Sequence, residues 1–238
     1  LLRAPEVSFD AAEIGLEAFG YNIENRHLLA ALASRAQELP ALTLVPANAA
    51  TVEIDDGRVV TKCGDGTTVS AQLAVGADGR RSVCRTAAGI ATDHHSYPQV
   101  ALACNVAHAR LHRDTSTEFH TEAGPLTLVP LPGRRSSLVW VTDPHEAPRL
   151  AGLSDDELSA EIEEHSHSVL GKVRAESGRS FFPLAVETAR RLAARRVVLV
   201  GEAAHVIPPI GAQGLNLGLR DAATVGEEAL VGNSSTLL

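Results

Sequence analysis

The chain has 238 residues, of which 45% are hydrophobic and 21% carry a formal charge. This length and apolar content are enough for one large domain or two smaller ones with a buried core, which argues against a disordered chain. The net charge is −8 at pH 7, and acidic and basic residues are interspersed along the chain. Such a pattern argues against a nucleic-acid groove or a polybasic membrane anchor and favours a small organic ligand.

Cysteine usage and hydropathy indicate the compartment. Cys63, Cys84 and Cys104 have neither metal-binding nor redox-motif spacing, which is typical of buried thiols in a reducing compartment. No stretch reaches the roughly 20 apolar residues that a membrane helix needs, and no signal peptide opens the chain. We therefore expect a cytoplasmic protein, with peripheral contact at the inner membrane left open.

The histidine pairs 94–95 and 165–167 are poorly spaced for one ion, so we expect no metal site.

The first half of the chain predicts a helix followed by strands. Apolar residues recur at helical spacing behind Asn25 as far as residue 39. Between 42 and 76 the pattern changes to short β-type runs separated by two Asp-Gly pairs, which are hairpin turn signals. We predict a strand meander that ends at Val75.

The second half predicts an antiparallel sheet, a helix, a buried strand and a final helix. Residues 96–142 alternate between apolar and polar and are interrupted by turn signals. Ser154 and Glu157 have the spacing of a capping box and predict a helix over about 155–170. The β-branched run at 197–200 predicts a strand of a parallel sheet, and a helix is expected to start near Gly211. The order predicts an α/β protein interrupted by a β-rich insertion.

The segment "VVLVGEAAHVIPPIGAQGLNLGLRDA" carries the strongest functional signal. Ligands of parallel sheets bind beyond the carboxyl ends of strands, where Glu202 could accept hydrogen bonds from ribose or ribityl hydroxyls. Pro208 and Pro209 keep the chain extended before a Gly-rich start of a helix, whose free N–H groups favour negative charge, as on a reduced flavin. The alternative is an ordinary strand–loop–helix connection that needs Gly and Pro for its geometry alone.

The same segment closely resembles the second FAD-binding motif of the flavoprotein aromatic hydroxylases, the para-hydroxybenzoate hydroxylase-like monooxygenases, written G-D-A-A-H-x-x-x-P-x-x-G-x-G-x-N. The matching positions are Gly201, Ala203, Ala204, His205, Pro209, Gly211 or its neighbour, Gly214, Asn216 and Asp221. Glu202 stands where the family has Asp, which lengthens the reach toward the FAD sugar chain by one methylene.

Two further stretches resemble motifs of this family. "VGADGRRSVCR" is similar to its D-G-x-x-S-x-x-R motif, which implies contact of Asp78 and Gly79 with FAD and a link to the nicotinamide donor. "GYNIENRHLLAAL" is similar to the segment that places an arginine near the FAD pyrophosphate, a role that falls to Arg26. The alternatives are an ordinary Asp-Gly turn and a solvent-exposed arginine at a helix start.

The resemblance implies an α/β fold: a Rossmann-like FAD-binding domain, incomplete at its N-terminus, with an inserted, mainly antiparallel β-sheet substrate domain. The expected parts are 1–92 (partial FAD-binding domain), 93–184 (substrate domain) and 185–238 (return to the FAD-binding domain). The family's N-terminal G-x-G-x-x-G fingerprint is not found, and the chain contains no methionine. We therefore expect roughly 70 to 100 residues of a typical member to be missing from this chain.

The implied function is an FAD-dependent monooxygenase of the ubiquinone-biosynthesis branch, which uses NADPH or NADH and O2 to hydroxylate a polyprenyl phenol. The implied partner is a small aromatic substrate rather than nucleic acid, with a peripheral membrane or biosynthetic-complex association left open. No catalytic acid or base is indicated. The alternatives are a flavin monooxygenase with another aromatic or alkene substrate, and a non-catalytic fragment that acts as an interaction module. The implied cofactor-binding residues are Arg26, Asp78, Gly79, Glu202, Pro209, Gly211, Ala212, Gln213, Gly214, Leu215 and Asn216.

Overall fold

The computed structural model describes residues 6–231, in which five α-helices accompany three β-sheets. The helices are α1 (Asn25–Gln37), α2 (Val83–Ala87), α3 (Ala147–Gly152), α4 (Asp155–His165) and α5 (Gln213–Val231). The strands are β1 (Ala49–Ile54), β2 (Val59–Cys63), β3 (Thr68–Ala71), β4 (Ala74–Gly76), β5 (Thr92–His108), β6 (Thr117–His120), β7 (Pro125–Leu131), β8 (Arg135–Thr142), β9 (Val173–Ala175), β10 (Ser180–Ala189), β11 (Ala193–Ala194), β12 (Val197–Leu199) and β13 (His205–Val206). The predicted mixed α/β class is confirmed.

The largest sheet has seven strands in the order β13-β10-β5-β8-β7-β6, with β9 paired to one end of β5. All of its pairs are antiparallel, which confirms the prediction for 96–142. Side chains alternate between its two faces. One face packs on α3 and α4 in the main core, where Leu102, Leu138 and Trp140 meet Leu158 and Ile162. Part of the opposite face is buried in a third cluster of Ala101, Val141 and Leu184. We call the remainder, which borders an open cleft, the free face.

Helix α4 begins as predicted and ends early. The Ser154 side chain accepts a hydrogen bond from the Glu157 N–H, and the Glu157 carboxylate accepts one from the Ser154 N–H, which completes the capping box. The helix stops at His165 and not near 170, because His167 and Ser168 both adopt φ of 50°. A left-handed pair of non-glycine residues cannot continue a right-handed helix.

The predicted meander of residues 42–76 divides between two sheets. Strands β1, β2 and β3 form an antiparallel sheet, while β4 pairs in parallel with β12 in a separate sheet with β11. The prediction that the meander runs to Val75 was therefore wrong for its last strand. The parallel character expected for 197–200 is confirmed, and Val197 and Leu199 are buried.

The predicted division at 92/93 and at 184/185 falls within strands β5 and β10. Strand β10 lies in the large sheet, and its last residue, Ala189, packs in a second core with Val197 and Leu199. Strand β10, whose register shifts between Pro183 and Ala185, thus runs from the large sheet into the second core, and the assignment of three parts remains a prediction. No helix in residues 6–231 is both long enough and apolar enough to cross a bilayer.

Candidate functional site

A large open cleft of about 3430 Å³ lies over the free face of the seven-stranded sheet. It exceeds the ~300–1,000 Å³ of an ordinary small-molecule pocket, so it has room for a dinucleotide together with a second ligand. Its floor includes Asn105, Ser137, Val139 and Phe182 from neighbouring strands. One wall comes from the segment between β13 and the first turns of α5.

The end of strand β12 presents Glu202 to this cleft. Gly201 turns the chain with φ of 58°, and the next two small residues, Ala203 and Ala204, are buried. The Glu202 side chain is 56% exposed, lines the cleft and lies 3.4 Å from the Arg80 guanidinium. Because both members of this ion pair are more than half exposed, the pair holds the carboxylate only weakly and leaves it free to accept other donors.

The start of α5 has an unusual backbone. Gly211 and Ala212 adopt φ of 73° and 51°, so the chain is left-handed at two successive residues just before the helix. The left-handed conformation costs about 1–2 kcal/mol for a residue with a Cβ, such as Ala212. Consecutive residues of this kind turn their N–H groups toward one side, and the first turn of α5 adds further N–H donors. Strain of this sort is found at ligand sites.

Side chains around that turn are uncharged. Ala212, Gly214, Leu215 and Asn216 all line the cleft, and the Leu215 side chain is half exposed there. The Asn216 amide donates to the Ala212 carbonyl at 3.1 Å, and the Gln213 amide donates to the Gly211 carbonyl at 3.0 Å. The donors that face the cleft at this point are therefore backbone groups, and the segment from Pro208 to Asn216 carries no charged side chain.

The Asp-Gly turn uses its carboxylate internally. Asp78 accepts hydrogen bonds from the Ser82 hydroxyl at 2.6 Å and from the Cys84 N–H at 3.1 Å, and Gly79 follows with φ of 75°. Partial burial raises the pKa of Asp78, but the hydrogen bonds from Ser82 and Cys84 outweigh it and hold this pKa below its usual value. Neither Asp78 nor Gly79 is among the described residues that line the cleft.

Arg85 joins this turn to the end of β12. Its guanidinium donates to the Ala203 carbonyl at 2.8 Å and to the Arg80 carbonyl at 2.6 Å, and it lies 3.0 Å from the Glu187 carboxylate on β10. The side chain is only 12% exposed. Arg85 is the last residue of the "VGADGRRSVCR" stretch, and no local pattern indicates that it links two segments 118 residues apart.

Arg26 stands at the start of α1 on the cleft wall. Its guanidinium is 69% exposed and lies 2.9 Å from the Glu24 carboxylate. This hydrogen bond from Arg26, together with the Arg135 guanidinium, lowers the pKa of Glu24 against the effect of desolvation. Most of the Arg26 donors face solvent, so they remain available to an anionic ligand.

The structure brings seven of the eleven predicted residues to one cleft and leaves four outside its lining. Those that line it are Arg26, Glu202, Pro209, Ala212, Gly214, Leu215 and Asn216, and the others are Asp78, Gly79, Gly211 and Gln213. Sequence reasoning missed Arg80 and Asn105, which also line it, because neither has a recognisable spacing signal.

Burial raises the pKa of Cys84 and of Cys104 to about 11, so both are protonated thiols at neutral pH.

Comparison with known proteins identifies the family to which the chain belongs. A family model described as "FAD binding domain" matches residues 21–230. The ubiquinone hydroxylase UbiL of Rhodospirillum rubrum is 42% identical over 209 residues, which are 87% of this chain and 49% of that protein. The 3-demethoxyubiquinol 3-hydroxylase of Escherichia coli is 35% identical over 216 residues, 90% of this chain and 55% of that protein. The chain thus spans about half the length of these curated relatives.

Solved structures show the same fold. The p-nitrophenol 4-monooxygenase PnpA of Pseudomonas putida superposes with a TM-score of 0.69 at 20% identity, over 88% of this chain and 55% of that one. The flavin-dependent monooxygenase PieE, solved with FAD and substrate, gives 0.63 at 26% identity, over 80% of this chain and 35% of that one. Since the family model covers most of the chain, the chain belongs to the FAD-binding domain family of the flavoprotein aromatic hydroxylases, in the branch whose members include named ubiquinone hydroxylases.

Proposed function

We propose that the protein is an FAD-dependent monooxygenase that hydroxylates the aromatic ring of a polyprenyl phenol in ubiquinone biosynthesis, with NAD(P)H as electron donor. One observation carries the proposal. Glu202 and the left-handed start of α5 lie on the wall of the same cleft whose floor is the free face of the antiparallel sheet. A cofactor held at the wall and a flat ring on the floor would therefore share one space.

The residues present fit FAD. The Glu202 carboxylate is an acceptor for a hydroxyl of the sugar chain, and the N–H groups at the start of α5 are donors for a partly negative ring edge. Small side chains at Ala212 and Gly214 let a flat ring approach the backbone. Arg26, with most of its guanidinium in solvent, supplies positive charge for a pyrophosphate. We infer these contacts from donor and acceptor chemistry.

When bound, FAD would supply the redox chemistry: two electrons from NAD(P)H would allow O2 to deliver one oxygen atom to the ring and release the other as water. The chain contributes position and electrostatics. The positive end of α5 stabilises negative charge that develops on a ligand next to it, without a mobile counter-ion. A ring bound against the apolar residues of the floor would displace water from the space between them, which would strengthen that stabilisation.

The floor offers both apolar and polar contacts to a phenol. Val139 on β8 and Phe182 on β10 form apolar surface, and Phe182 is 48% exposed. Asn105 and Ser137 are direct partners across β5 and β8 and place two polar groups beside that surface. We infer that the ring lies on the apolar part and that its oxygen is hydrogen-bonded by the Asn105 and Ser137 side chains.

A polyprenyl substrate also implies a membrane surface. Such a substrate partitions into the bilayer, so we propose that the protein works at the cytoplasmic face of the inner membrane or within a biosynthetic complex there. Co-sedimentation with vesicles of anionic and neutral lipid tests this part separately from the chemistry. If the protein stays in the supernatant with vesicles that contain the quinol, the proposed membrane location is contradicted.

The experiment for the proposed reaction supplies the purified full-length protein with FAD, either nicotinamide donor, isotopically labelled O2 and a short-chain demethoxyubiquinol. Mass spectrometry is expected to find one labelled oxygen in the product, and omission of the quinol should slow NAD(P)H oxidation. Labelled product from an unprenylated phenol or an alkene, but none from the quinol, would favour the alternative of another substrate. Absence of both flavin binding and product would favour a non-catalytic module.

A further inference from the structure

The carboxylate of Asp221 on α5 holds both ends of the loop that presents Glu202. Its Oδ2 atom accepts a hydrogen bond from the Gly201 N–H at 2.9 Å and another from the His205 Nε2–H at 2.6 Å. Gly201 and His205 flank the segment Glu202–Ala204. The loop is therefore closed across a single oxygen atom that belongs to a different element.

The hydrogen bonds of Asp221 are shielded from solvent, and the His205 side chain has no other hydrogen-bond partner among the described residues. The side chains of His205 and Asp221 are 16% and 24% exposed, where a charge-assisted hydrogen bond is stronger than at the surface. The His205 Nδ1 atom is buried and has no hydrogen-bond partner within residues 6–231. The imidazole is thus oriented by hydrogen bonding to Asp221 alone in that part of the chain.

A second contact fixes the helix at the same place. A Cβ added at Gly218 would lie 3.2 Å from the Cα atom of Gly201, which is closer than a side chain tolerates unless one backbone moves. Helix α5 therefore touches the end of β12 backbone to backbone at Gly218, one turn before Asp221. We call Asp221, His205, Gly201 and Gly218 the helix clamp.

We propose that the helix clamp is a positioning device for FAD, which sets the distance between Glu202 and the first turn of α5. This inference rests on the proposed binding of FAD in the cleft. Gly218 and Asp221 lie four and seven residues after Gly214, about 6 and 10.5 Å along a rigid helix at 1.5 Å per residue. A shift of α5 at the clamp would move its N-terminal donors by a similar amount relative to Glu202.

The helix offers matched controls for a test. Gly226 is also inside α5, but a Cβ there would meet nothing within 4 Å, so Gly226→Ala repeats the chemical change of Gly218→Ala without the contact. Glu227→Ala likewise removes an acidic side chain from α5, and Glu227 makes no hydrogen bond or ion pair within the described residues. It is the control for Asp221→Ala.

The experiment measures the FAD dissociation constant of the full-length protein and the visible circular dichroism of the flavin at saturating FAD. Gly218→Ala and Asp221→Ala should each raise the dissociation constant by about tenfold or more, because sub-ångström misplacement of binding groups is costly. Both should also change the dichroism of the bound flavin, while the two control variants retain wild-type values. If Asp221→Ala does not fold, Gly218→Ala decides alone.

Wild-type affinity and dichroism in Gly218→Ala and Asp221→Ala, with or without a lower melting temperature, would overturn the clamp as a positioning device and leave the proposed function intact. An equal effect of Gly226→Ala would also overturn it, because the cause would then be helix composition and not the contact with Gly201. A wild-type protein that binds no FAD would overturn the proposed function and this inference together.

Discussion

The Arg85 guanidinium donates a hydrogen bond to the Ala203 carbonyl at 2.8 Å and so ties the Asp-Gly turn to the loop after β12. This one contact brings together two motifs that are 118 residues apart in the chain. The same side chain holds the Arg80 carbonyl and pairs with Glu187. Arg85 thus connects α2, the loop at the cleft and strand β10.

Replacement of Arg85 by alanine should lower the free energy of unfolding by about 2–3 kcal/mol, since hydrogen bonds to a charged, mostly buried group are lost and their acceptors are left unpaired. Urea denaturation measures the loss. Arg81→Ala is the control, because the Arg81 side chain is exposed and has no hydrogen bond among the described residues. Equal stability of the two variants would show that the Arg85 contacts contribute nothing.

Glu202→Ala should weaken FAD binding about tenfold, the effect of one lost hydrogen bond to a charged group. Arg80→Ala should change the affinity by less than about twofold, because the exposed ion pair between Arg80 and Glu202 contributes little. Flavin fluorescence titration gives both values. A large loss with Arg80→Ala and none with Glu202→Ala would reverse the roles assigned to these side chains.

Arg26→Ala should reduce FAD affinity several-fold at low ionic strength, and the difference from wild type should shrink as salt screens the charge. Binding of FMN, which lacks the pyrophosphate and adenosine, should be unaffected. Arg35→Ala, which removes an exposed arginine from the same helix, is the control. A loss of affinity that is the same for FMN and FAD would rule out a pyrophosphate contact for Arg26.

Gly76→Ala should destabilise the fold by about 1–3 kcal/mol, the range for an overpacked core. A Cβ at this buried end of β4 would lie 2.7 Å from the Cys84 Cβ and 3.0 Å from a Leu199 methyl group. Gly64→Ala, where a Cβ would meet nothing within 4 Å, should change stability little. Thermal denaturation of both variants checks the difference, and equal melting temperatures would contradict the packing around β4.

Acid should destabilise the protein in part through Asp78. Because the pKa of this carboxyl is lowered in the folded state, its contribution is fully present above the unfolded pKa of about 3.9 and is lost as the pH falls through the folded value. Asp78→Asn should therefore be less stable than wild type at neutral pH, and the gap should narrow below about pH 4. Urea denaturation at a series of pH values measures the gap. A gap of constant size would show that ionisation of Asp78 is not responsible.

Helices and strands were predicted well where they depend on interactions between residues close together in the sequence. The capping box at Ser154, the hairpins of β1 to β3 and the buried parallel strand at 197 all follow from patterns within about ten residues. The pairing of β4 with β12 could not be predicted, because Ala74 on β4 pairs with Val197, which lies more than 120 residues away in the chain. Pairing over such a distance depends on tertiary packing and has no local sequence signal.

The sequence predicted the motifs of the site but not the side-chain contacts between them. Glu202 and the start of α5 were found because small residues after a strand and before a helix form a pattern. The pairing of Glu202 with Arg80, and the contacts of Arg85 and Asp221 around the loop, depend on side-chain geometry between distant segments. The polar pair Asn105 and Ser137 was missed because alternation along a strand does not indicate which face borders a cleft.

We expect FAD to bind against the segment from Gly201 to Asn216. Amide hydrogen exchange of the full-length protein with and without FAD, followed by mass spectrometry of peptides, tests it most directly. Exchange across this segment should slow when FAD is added, while the β1–β2 turn at Gly57, which does not line the cleft, should exchange at an unchanged rate. Saturation with FAD that leaves exchange between Gly201 and Asn216 unaltered would contradict the account.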